Sequence, residues 1–142
     1  MATYLASVED REFVRAFDDG LITPEAFDHR AHVRLAYVYL TEFDVDGATE
    51  AMRAGLLRFL ERRGLDVSKY HATLTRAWVM AVYHFMRRSG GAASAEEFIA
   101  ANSPLLDSKI MLSHYSADVL FSEEARGRFV APNLEPIPVH GV

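Results

Sequence analysis

Apolar residues recur at three- and four-residue spacing through most of this chain, and the runs between them are short and polar. That period is helical, because residues i, i+3, i+4 and i+7 share one face of a helix. The spacing predicts a first helix after Ser7, with Glu9, Asp10 and Glu12 early in it, Phe13, Val14 and Phe17 inward, and a stop at Asp19-Gly20. Thr23-Pro24-Glu25 is a second start signal, and two readings stay open there: the turn runs on into the next helix, or Asp28 caps a new one.

Over 29–43 one side of the helical wheel holds His29, His32, Val33, Ala36, Tyr39, Leu40 and Phe43, while Arg30, Arg34 and Thr41 hold the other. Both histidines therefore sit in the apolar stripe. A third helix is expected over 48–63, with Met52, Leu56, Phe59 and Leu60 inward and Gly64 as its stop. A fourth is expected over 70–88, with His71, Leu74, Thr75, Trp78, Ala81, Val82 and Phe85 in its stripe. Ser94 with Glu96 and Glu97 opens a fifth, which Asn102-Ser103-Pro104 breaks or restarts. The run 105–112 is apolar on two turns, and Ser122 to Arg126 reads as a last short helix. No run alternates as a strand would. The expectation is an all-α, single-domain bundle of about five helices over 1–142, with an extended, proline-containing tail over 131–142.

Composition narrows the chemistry. The 142 residues carry a net charge of −5, so no basic surplus offers itself to phosphate backbones, and nucleic acid is not expected as a partner. No apolar run reaches about 18 residues and the first dozen lack a signal-peptide core, so neither a membrane span nor export is expected and the cytoplasm is the expected location. There is no cysteine, so a metal would be held by His, Asp or Glu.

The histidines carry the candidate chemistry. Short loops make successive helices antiparallel, so the second and fourth run parallel, and His29, His32 and His71 fall at one end of the bundle. The fifth helical region returns toward that end, with His114 at its exit. Neutral imidazoles suit one divalent transition metal (Zn, Cu, Ni or Fe), and three ligands with an open position describe a catalytic site. On this reading His29, His32 and His71 are ligands, His114 is a fourth ligand or an acid/base, and Tyr70 and Thr75 line the pocket. The protein would be a metal-dependent enzyme, a hydrolase or an oxidoreductase, acting on a small molecule. The alternative is a non-enzymatic small-ligand-binding or interaction domain, with a homodimer through an exposed aromatic face as one form of it, in which the histidines are hydrogen-bonded core residues. His84 falls on the polar side of its helix and His140 in the tail. Dinucleotide-binding, P-loop, zincin and nucleophile-elbow motifs are absent from the sequence, as are the Glu-x-x-His pairs of di-iron bundles.

The stretches Phe27-x-His29-x-x-His32-Val33-Arg34-Leu35-Ala36, Lys69-Tyr70-His71-x-Thr73-x-Thr75 and Leu112-Ser113-His114-Tyr115-Ser116 resemble a family of small bacterial helical proteins. Ala125-Arg126 and Pro132-Asn133-Leu134 add to the likeness, which covers most of the chain. The resemblance implies a helical fold and the importance of these motifs, and no activity. It also implies an acidic residue after His71, where this chain has Ala72.

Overall fold

The central element is a helix that is apolar nearly all round. In the computed structural model, which describes residues 2–138, eight of the twelve residues of this helix, His29–Leu40, are buried, and the other long helices pack around it. In chain order the helices are α1 (Val8–Asp18), α2 (His29–Leu40), α3 (Val45–Arg62), α4 (Ala72–Arg88), α5 (Ala95–Ala101), α6 (Ala117–Leu120) and α7 (Glu123–Gly127). Single 3-10 turns cover Val67–Lys69, Ser103–Leu106 and Ile110–Ser113. The described residues form no strand; an isolated parallel bridge pairs Tyr4 with Ala92.

The all-α expectation holds, with seven helices in place of about five; α1 to α5 are the substantial ones. The added pieces, α6 and α7, are single turns capped by Ser116 and Ser122. The choice left open near Pro24 resolves in favour of a new helix. Residues 24–26 form a turn, and the Asp28 carboxylate accepts the Ala31 N–H at 2.9 Å. The same logic starts α3 earlier than the apolar pattern suggests, because Asp44 accepts from the Gly47 N–H at 2.8 Å. The run 105–112 is not α-helical but two 3-10 turns, since Pro104 and Asp107 interrupt it before the α pattern can propagate. Residues 131–138 form neither helix nor strand and bend at 133–135; His140 lies outside the described residues.

Two polar devices fix how the helices sit. Asp10 is 2% exposed, yet its carboxylate accepts from the Ser7 N–H, the Ala95 N–H and Arg34 Nε, at 2.9–3.0 Å. Burial pushes its pKa up, but the bonds from Ala95, Ser7 and Arg34 outweigh burial and hold it below the ordinary carboxylate value. One side chain thus joins α1, α2 and the start of α5. At the other face α3 approaches α1 through Gly55, where an added Cβ would stand 2.8 Å from the Phe17 ring. No helix among the described residues is long and apolar enough to cross a membrane.

Candidate functional site

The first turns of α2 and α4 and one face of α3 line a cavity of about 530 Å3 that opens to solvent. Its walls are largely apolar: Phe27 and Val33, then Met52, Leu56, Phe59 and Leu60 of α3, then Leu74 and Trp78 of α4. His29, His32, His71, Tyr70 and Thr75 also line it, with Ser108 from the loop between the second and third 3-10 turns. Its two charged lining residues, Asp28 and Lys69, are both exposed.

Each histidine is held differently. His29 is the first residue of α2, and its Nε2 lies 2.9 Å from the Leu105 carbonyl oxygen. That carbonyl can only accept, so Nε2 carries the proton and in the neutral ring Nδ1 keeps a lone pair. The His29 ring meets Trp78 edge-on, with centroids 4.5 Å apart. His71 is not inside α4 but is its N-cap, with φ −121° and ψ 103°. Its Nδ1 accepts the Leu74 N–H at 3.1 Å, the role that Ser or Asp usually fills. Its Nε2 must therefore carry the proton, and it donates to the Leu120 carbonyl at 2.7 Å. Burial lowers the His71 pKa and the Leu120 bond partly offsets this.

His32 lies one turn into α2, with its ring 4.2 Å from that of Phe27. No hydrogen bond among the described residues engages this ring. Among the described residues the one fully buried side-chain nitrogen or oxygen without a partner is Nε of Arg63, so the unbonded His32 nitrogens each keep some accessible surface. Burial first, and His29 second, push its pKa down to about 4 against the weaker opposing pull of Asp28. At neutral pH His32 is thus an uncharged imidazole with one N–H and one lone pair to offer.

Tyr70 stands at the C-terminal end of the first 3-10 turn, half-buried, and burial raises its phenol pKa. The Thr75 hydroxyl donates to the His71 carbonyl at 2.8 Å. His114 is apart from these residues and does not line the cavity. Its Nδ1 bonds the Glu135 carbonyl at 2.7 Å, and its own carbonyl accepts from the Leu134 N–H, so it anchors the tail. His84 is half-buried on α4 beside Phe85 and is also outside the cavity.

The structure therefore brings His29, His32, His71 and Tyr70 to one cavity and leaves His114 outside. Among the described residues no three His, Asp or Glu side chains stand as a metal-holding group. For His71 the physical reason is direct. Both ring nitrogens are in use, and a metal bond at either would break the α4 cap or the Leu120 bond. The cavity residues of α3 escaped sequence reasoning, which placed Met52, Leu56, Phe59 and Leu60 in a core stripe. An inward stripe has the same period whether it meets protein or a cavity. Comparison with protein-family models, with curated proteins and with solved structures found no match.

Proposed function

We propose that this protein is a small-ligand-binding domain and that the cavity between α2, α3 and α4 is its ligand site. The observation that carries this reading is His32: a neutral imidazole with no hydrogen-bond partner among the described residues, in the wall of an otherwise largely apolar cavity. A cavity of about 530 Å3 lies within the range of drug-sized ligand sites, roughly 300–1,000 Å3, and such sites combine apolar walls with a few polar groups. The neighbouring histidines have a sufficient structural role, since His29 and His71 hold the carbonyls of Leu105 and Leu120. Trp78 is the chain's one tryptophan and lines the cavity, so its emission reports occupancy directly. A screen of small aromatic and aliphatic molecules should yield binders that shift Trp78 emission and raise the melting temperature together. A screen without any such compound would refute the reading.

A second reading, a metal-dependent hydrolase or oxidoreductase, has one observation in its favour: His29, His32 and His71 line the same cavity. It requires the His71 ring to leave at least one of its two present bonds. Elemental analysis of protein purified without a nickel column separates the readings. About one equivalent of Zn, Cu, Ni or Fe, lost in His71→Ala, supports the enzyme; metal-free protein that takes up none on titration removes it.

A further inference from the structure

We propose that the cavity takes an uncharged aromatic ring bearing a hydroxyl group, a phenol-class ligand whose hydroxyl bonds the His32 imidazole. The inference rests on the ligand-binding reading above and names the ligand's chemistry.

Charge decides the first half. The lining carries one charge of each sign, on Asp28 and Lys69, and both residues are exposed, so it offers no buried and no net counter-charge. Asp28 is in addition committed to the Ala31 N–H. A carboxylate or ammonium carried inside would lose part of its hydration without gaining a buried counter-ion, an unfavourable exchange. His32 does not supply that counter-charge, since burial keeps it neutral at physiological pH. An uncharged ligand escapes the penalty.

Hydrogen-bond capacity decides the second half. A neutral imidazole presents one donor and one acceptor, and which nitrogen holds the proton is set by its partner. A hydroxyl both donates and accepts, so it satisfies His32 in either tautomer. A carbonyl or an ether satisfies one tautomer alone. His29 adds acceptor capacity only, because its Nε2 proton is given to Leu105. The wall favours a flat ring: Phe27, Phe59 and Trp78 present aromatic surface, and edge-to-face or offset contacts with a ligand ring add to plain burial.

The test uses three isosteres, 4-ethylphenol, ethylbenzene and 4-ethylbenzoate, titrated calorimetrically at pH 7.5 into the full chain, with Trp78 emission as a second readout. The expected order is 4-ethylphenol about 3- to 10-fold tighter than ethylbenzene, the worth of one net hydrogen bond, and 4-ethylbenzoate weakest. In His32→Leu the phenol and the hydrocarbon should bind equally; His32→Phe provides the same comparison should the Leu variant fail to fold. Equal binding of phenol and hydrocarbon by the wild type, or tightest binding of the benzoate, overturns the ligand class while leaving the ligand-binding reading in place. A phenol preference that survives in the variants overturns the role of His32. No heat and no change in Trp78 emission with all three compounds up to about 1 mM, roughly 4 kcal/mol of affinity, overturns this inference, and it is the fragment screen above that then decides the broader reading.

Discussion

Acid should unfold this protein earlier than its carboxylates alone require, and His32 is the reason. In the unfolded chain His32 titrates near its ordinary value of 6.5, whereas in the folded protein burial holds it at about 4. Between those values the unfolded state binds a proton that the native state refuses. Stability therefore rises with pH through this window and falls as the pH drops through it. The contribution is nil above pH 7 and reaches its full cost below pH 4. At about 1.4 kcal/mol per pH unit the gap amounts to about 3 kcal/mol, of which about 2.5 kcal/mol is already lost at pH 4.5. His71 acts in the same direction, since its pKa is also lowered. Asp10, held below the ordinary carboxylate value, contributes stability that is lost only as the pH falls below about 4.

The comparison that isolates His32 is a pair of urea-unfolding series at pH 7.5, 6.5, 5.5 and 4.5, followed by circular dichroism, on wild type and His32→Leu. The variant keeps the contributions of His71 and Asp10, so the difference between the two slopes belongs to His32. Wild type should lose about 2.5 kcal/mol more than the variant between pH 7.5 and 4.5. Parallel stability curves would refute the claim that His32 is buried and neutral in the fold, and with it the electrostatic argument for an uncharged ligand.

Three further outcomes follow from the packing. His71→Ala should cost about 1–3 kcal/mol at pH 7, because it removes the α4 cap and the bond to Leu120, and His71→Asn should recover part of that by capping alone; thermal melts read both. Asp10→Ala should cost about 3–5 kcal/mol in urea unfolding, since it strips Arg34 of its partner and leaves the Ala95 N–H unsatisfied. Gly55→Ala should lower the melting temperature although alanine is the better helix former by about 1 kcal/mol, because its Cβ would press the Phe17 ring at 2.8 Å; a rise would show that α1 yields at that contact.

Much of the architecture was legible because its signals are local. Asp28 and Ser7 cap the helices they precede, and the stops at Asp19-Gly20 and Gly64 follow from glycines with φ of 75° and 67°. Errors cluster where one residue serves two roles. His71 fits the apolar stripe of α4 by spacing, yet its ring accepts the Leu74 N–H, so the helix begins at Ala72, two residues later than expected. The 105–112 run has helical periodicity but follows Pro104 and is cut by the turn that Asp107 opens, which leaves pieces too short to nucleate an α-helix. The site was half legible. That α2 and α4 begin at the same end follows from loop length; that their histidines bond the carbonyls of Leu105 and Leu120 does not. Backbone acceptors more than forty residues away leave no mark in sequence, because every residue has one.

This difference bears on how histidine pairs on a helix are read. Spacing of three residues placed His29 and His32 on one apolar face, and ligation is one way of satisfying such rings. The surrounding backbone offers another. The segments around 105 and 120 form short 3-10 and single-turn helices, and such pieces leave carbonyls without intrahelical partners. Buried carbonyls of that kind need donors. A neutral imidazole supplies one N–H, and in His71 its second nitrogen simultaneously satisfies an orphan N–H at the start of α4. His29 and His71 thus answer a need created by the short elements packed over the ends of α2 and α4. His32 answers no such need: among the described residues its ring packs on Phe27 and bonds no backbone carbonyl. It is this asymmetry among three similar residues, rather than their clustering, that leaves His32 with hydrogen-bonding capacity to spare and makes it the residue on which the proposed ligand site rests.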